Sequence, residues 1–134
     1  MSLSTNRATS PRPDIVRPDD IKMLVDGFYA KVKVDELLGP VFAGEAQVHW
    51  EAHLPTMYSF WTKILLGQGE YFGRPFQKHI PLKIGASHFK RWLSLFEGTV
   101  DSHFEGEIAE EAKLRANAIA YAFQAKLGIR PAIG

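Results

Sequence analysis

"DDIKMLVDGFYAKVKV", residues 19–34, is the stretch that decides the fold. Ile21, Leu24, Val25, Phe28 and Val32 recur at steps of three and four residues, a period that gathers them on one helical face. A strand would scatter the same residues over both of its faces. Asp19 and Asp20 open the run, where acidic side chains cap free amides and meet the positive end of the helix dipole. Gly39 and Pro40 end it, and Val41 and Phe42 follow as a short apolar corner.

The same period continues outward. Between residues 47 and 66 it is marked by Trp50, Leu54, Met57, Phe60, Trp61, Ile64 and Leu65, with Gly67 as the stop. Pro55 interrupts this pattern, because inside a helix it removes one backbone bond and crowds the preceding turn. Either the helix starts near Pro55 or it is kinked there. A third helix is expected from about Ser87, with Phe89, Trp92, Leu93, Phe96 and Val100 on one face. A fourth runs from about Glu107 through Ile108, Ala112, Ile119, Phe123 and Leu127, and Gly128 and Pro131 stop it. No segment alternates as a strand does. The fold is therefore expected to be all-α, built on four main helices.

Residues 1–18 are rich in Ser, Thr, Pro and Arg and show no hydrophobic period, so they are expected to be a flexible lead. Residues 19–134 are then one domain, long enough to bury a core of its own. Apolar residues make up 46% and charged residues 23%, the balance of an ordinary globular chain. With a formal net charge of +1 and interspersed signs, no nucleic-acid footprint stands out. No apolar run is long enough to span a membrane, and none near the start resembles a signal peptide, so a cytoplasmic location is expected. Cysteine is absent, which excludes disulfides, thiolate metal sites and thiol catalysis together. A transition metal would have to use nitrogen from His49, His53, His79, His88 or His103.

"GRPFQKHIPL", residues 73–82, sets His79 between Pro75 and Pro81. Pro75 suits the first position of a helix and Pro81 cannot continue one, leaving little more than a single turn. Packing by Phe76, Ile80 and Leu82 could anchor so short a helix, and an imidazole–metal bond would anchor it more firmly. The alternative is a partly exposed loop histidine. His53 has Trp50, Met57, Phe60 and Trp61 at helical spacing, so it lies on or beside an apolar face and needs a partner or a task. It is either a hydrogen-bonded core histidine or a functional one. Tyr29, next to Phe28, and Trp92 are core aromatics whose polar ends need acceptors, in a pocket or on the backbone. His49, His88 and His103 read as solvated or boundary residues. Zinc on His49 and His53 lacks a third ligand, and "HWEAH" lacks the order that places a catalytic carboxylate.

In order along the chain, "DGFYAKVKVDELLGPVF", "WEAHLPTMYSFWTKILLG", "YFGRPFQKHIPL" and "HFKRWLSLF" strongly resemble the truncated haemoglobins, specifically group III. The resemblance runs from about residue 19 to residue 125; the long lead and Pro55 stand apart from it. It implies a two-over-two helical sandwich enclosing haem b, with His79 as the proximal iron ligand. By the same resemblance Tyr29, His53 and Trp92 surround a bound gas, and Phe28, Phe42, Met57 and Phe60 wall the cofactor pocket. Lys78 and Arg91 are propionate partners on grounds of charge alone.

A single neutral imidazole leaves an open position on iron for a diatomic ligand. The function so implied is reversible binding of dioxygen, with slow release from a polar distal cage. The place of His53 on a helix face beside Pro55 adds the expectation that its ring acts as a gate and not as a sixth iron ligand. The alternative is a haem enzyme for nitric oxide dioxygenation or peroxidase-like turnover. The first of these needs a separate reductase, since no flavin or nicotinamide motif is present. The second would benefit from a carboxylate beside His79, and its flanking residues supply none. A haem-free helical interaction domain is a third reading.

Overall fold

The protein is described by a computed structural model over residues 11–45, 50–69 and 84–129. Helix α1 is Pro18–Val34, and a short π-helical turn, Val41–Glu45, follows it. Helix α2 is Trp50–Leu66, α3 is Ala86–His103 and α4 is Glu107–Lys126. There is no strand among the described residues. No helix among them is long and apolar enough to cross a membrane.

Pro18 sits in the first turn of α1, where its missing N–H removes no bond. Asp20 reaches back one turn, its Oδ2 accepting from Val16 N–H at 2.9 Å and Arg17 N–H at 3.0 Å. All five residues of the expected apolar face are buried, and Tyr29 joins them. Asp35 ends the helix by accepting from the Leu37 and Leu38 amides at 3.0 and 2.9 Å. The chain turns so tightly there that a Cβ on Gly39 would lie 2.9 Å from the Lys33 carbonyl oxygen, so only glycine fits.

Helix α2 is continuous across Pro55, beginning five residues before it. The later start considered from the sequence is therefore not used. Proline has no N–H to offer the Glu51 carbonyl one turn back, so one backbone bond of the helix is absent there.

Helices α1 and α2 pack together, as do α3 and α4, and the two pairs meet where α1 crosses α3 and α2 touches α4. This is the expected two-over-two sandwich. Rings link its layers: Trp61 of α2 stacks on Phe96 of α3 at 4.9 Å, and Phe28 of α1 meets Phe96 edge-on at 5.4 Å. On α4 the buried residues are Ala109, Ala112, Ala116, Ala120 and Gln124, while Ile108 and Ile119 are half-buried. The expected face of large residues is thus rotated. Alanines face α3 because short side chains let two backbones approach closely.

The lead is also placed differently from the expectation. Residues 1–10 lie outside the described residues, but residues 11–17, mostly exposed, are anchored at Pro13, Asp14 and Ile15. Ile15 is fully buried in the main core. The Pro13 carbonyl accepts from Glu105 N–H at 3.0 Å, and Arg12 pairs with Glu105 at 3.4 Å. Asp14 accepts from the Ile108 and Ala109 amides at the start of α4. Low hydropathy hid this segment, because one isoleucine and one carboxylate do the anchoring.

Candidate distal haem site

Tyr29 and His53 stand on facing helices with ring centroids 5.1 Å apart and planes at 84°. Around them are Phe42, from the π-helical turn, and Trp50, from the first turn of α2. Phe42 lies 6.0 Å from Tyr29 and 6.5 Å from His53. Trp50 lies 5.3 Å from Tyr29 and 5.6 Å from His53, and it stacks on Phe42 at 5.7 Å. Trp92 of α3 connects through Phe28, which it meets at right angles at 5.6 Å, and Phe28 abuts Tyr29 at 4.7 Å. Of the residues expected at the site, the structure gathers Tyr29, His53, Phe42, Phe28 and Trp92 into one aromatic network. Met57 and Phe60 pack along the edge of the same core from α2.

The electrostatics favour a proton donor. Burial pushes the Tyr29 phenol far above its ordinary value, so its hydroxyl keeps its proton throughout the range in which proteins are folded. His53 Nε2 is likewise buried. An interior of aromatic rings makes such groups act more strongly than they would in water.

Helix α2 also presents apolar surface that the described residues do not fully cover. Leu54, Met57, Phe60 and Ile64 are half-buried, as are Trp92 and Leu93 of α3. These large apolar side chains pack against the main core and keep part of their surface open. A large, flat, apolar group suits it, and a porphyrin has that shape. A metal bound by side chains alone suits it less well. No three His, Asp or Glu residues among those described are grouped to hold an ion, so His53 finds no set of co-ligands there.

Other expected residues sit elsewhere. His79 and Lys78 lie outside the described residues, as does His49. Arg91 has a different partner from the one expected on charge grounds: its guanidinium meets Asp35 at 2.6 Å, tying α3 to the corner after α1. Burial raises the Asp35 pKa, but the Leu38 amide, Arg91 and the Leu37 amide outweigh it and hold the carboxyl below its ordinary value. His88 caps α3, its Nδ1 accepting from Gly85 N–H at 3.0 Å.

Two members of the site were missed from the sequence. Trp50 was legible as a wall, being one turn before His53 on the same face. Lys33 carries its ammonium 4.6 Å from the Trp50 ring centre. Its only signal was a position one turn after Tyr29.

Residues 15–124 match the family described as bacterial-like globin. The group 3 truncated hemoglobin ctb of Campylobacter jejuni is 34% identical over 115 residues, which is 83% of this chain and 91% of that one. A group 1 truncated hemoglobin of Nostoc commune is 37% identical over 70 residues, 52% of this chain and 57% of its own length. The crystal structure of group III truncated hemoglobin from Campylobacter jejuni matches with a TM-score of 0.79 at 32% identity, covering 87% of this chain and 94% of that one. Four helices packed two over two, an aromatic cage between α1 and α2, and these likenesses lead to one conclusion: the chain belongs to the bacterial-like globins, in the group III truncated haemoglobin branch.

Proposed function

We propose that this globin holds haem b through His79 and binds dioxygen reversibly, with Tyr29, His53 and Trp92 as the residues that would meet the gas. When bound, the haem supplies an iron with one open position for a diatomic ligand. Everything else is the work of the chain. Phe28, Phe42, Met57 and Phe60 line the pocket and exclude water. Tyr29 offers a phenol proton that burial prevents it from losing, and Trp92 offers an indole N–H. Lys78 and Arg91 are assigned to the propionates on charge, Arg91 with one guanidinium nitrogen also on Asp35. A cytoplasmic setting belongs to the same proposal.

The observation that supports this reading best is the buried, protonated Tyr29 set edge-on to His53 beside an incompletely covered apolar face. Donors in an apolar cage would strengthen the hold on a ligand that takes up negative charge. The test is haem uptake. Purified protein should show a haem b absorption spectrum, and His79→Ala should abolish or cripple haem retention. His88→Ala and His103→Ala should leave it intact. Equal haem content in all three variants would remove His79 from its role.

A further inference from the structure

Tyr29 is buried, whereas Trp50 is half-buried and Lys33 is exposed. On this side of the cage Tyr29 and the buried Nε2 of His53 lie innermost, the half-buried Trp50 ring packs against both, and the Lys33 ammonium stands outermost. The Trp50 ring touches both inner residues, and its plane lies only 16° from that of Phe42, on which it stacks. Lys33 Nζ stands 4.6 Å from the Trp50 centroid, within the range at which a cation is attracted to an aromatic face. Lys33 is one turn beyond Tyr29 on α1, and Trp50 is one turn before His53 on α2. Both pairs therefore span the same seam between these helices.

His53 cannot swing outward on this side without displacing Trp50, because two rings edge to face at 5.6 Å are already in contact. We infer that Trp50 is the lid of the ligand cavity and that Lys33 is its latch. Gas enters along the α1–α2 seam when the Trp50 ring rotates outward, and the Lys33 cation weights the closed position. A pair of residues outside the expected set thus joins His53 in the gating role. This inference rests on the haem reading proposed above.

An exposed cation–π contact of ordinary strength corresponds to about a 2- to 5-fold shift in the closed-to-open ratio. Lys33→Met keeps the length of the side chain and removes its charge; Lys33→Arg keeps the charge. Both sit at the surface and leave the core untouched. One readout is the second-order rate of carbon monoxide rebinding to the ferrous, haem-loaded protein after laser photolysis. The other is the rate at which diethyl pyrocarbonate modifies His53, followed by mass spectrometry of its peptide, which needs no haem.

Lys33→Met should raise both rates about 2- to 5-fold, and Lys33→Arg should leave them at the wild-type level. In a Trp50→Leu background, which has no aromatic face, Lys33→Met should add nothing, since the two residues act as one unit. Unchanged rates in Lys33→Met would overturn the latch. So would an equal acceleration with Trp50→Leu, because the lysine would then be acting independently of the ring. If Trp50→Leu does not fold, the Met and Arg variants decide the matter between them. If the wild-type protein takes up no haem, the proposed function fails, and the His53 modification rates still decide the lid.

Discussion

Asp14→Ala should destabilise the protein although Asp14 precedes the first helix. Its carboxylate accepts from Ile15 N–H at 2.8 Å, Ile108 N–H at 2.9 Å and Ala109 N–H at 2.8 Å. The last two are first-turn amides of α4, which have no acceptor within their own helix. Gly106, the residue at the cap position, has no side chain to offer them. Its φ of +136° suits glycine, and a Cβ there would lie 2.6 Å from the Asp14 carboxyl carbon. Asp14 therefore works as an N-cap supplied from the other end of the chain. Loss of such a cap costs about 0.5–2 kcal/mol, and loss of a negative charge at a helix start about 0.3–1 kcal/mol more. Together these give a destabilisation of about 1–3 kcal/mol, measurable by urea unfolding of the haem-loaded protein at neutral pH. The pH dependence has a definite sign. Burial raises the Asp14 pKa, but the Ile108, Ile15 and Ala109 amides outweigh it and leave the value below the ordinary 3.8. A carboxylate lowered in the folded state stabilises fully above its unfolded value and loses that contribution as pH falls through its folded value. The gap between wild type and Asp14→Ala should thus be constant at neutral pH and shrink below pH 3.8. A gap within about 0.5 kcal/mol at neutral pH, the effect of an ordinary surface change, would refute the cap, and so would a gap that widens in acid.

Tyr29→Phe should speed dioxygen dissociation roughly 10- to 100-fold in stopped-flow measurements, the loss expected for a hydrogen bond to a charged acceptor. Carbon monoxide, which takes up less charge, should respond much less; Trp92→Phe should act in the same direction as Tyr29→Phe, and the two should not add. Off-rates within a factor of two of wild type in both variants would make Tyr29 and Trp92 packing residues only. Tyr58 donates to Asp26 between α2 and α1, and burial, then the Asp26 hydrogen bond and charge, push its phenol up to about 12. Its contribution to stability should be complete below the ordinary value of 10.0 and fade as pH rises towards 12, and Asp26→Asn should bring the ultraviolet titration of this tyrosine back down.

Much of the fold was legible because helices declare themselves locally. The α1 face from Ile21 to Val32 is fully buried, as its period required, and all four expected helices are present within a few residues of their expected limits. On α4 the expected Ala112 is buried and Ile108 and Ile119 pack against the core, but Ala109, Ala116 and Ala120 carry no comparable signal, because alanine has little hydropathy of its own. Ile15 and Asp14 escaped for a related reason: a two-residue anchor has no period. At the site, Tyr29, His53, Phe42, Phe28 and Trp92 were named in advance by resemblance, and the structure brings them into one network.

Helicity, the lack of thiol chemistry, and the truncated-globin order of the aromatic residues and histidines are all written in the linear chain. Those properties reside in single residues or in neighbours three and four positions apart, so no tertiary contact is needed to read them. Only the tertiary structure decided that Asp14 caps a helix 94 positions further on, that Asp35 takes the guanidinium of Arg91, and that Lys33 covers Trp50. Each of these joins groups from separate elements. Their meeting depends on how α1 lies against its neighbours, and helix packing offers several crossing geometries among which a one-dimensional pattern does not choose.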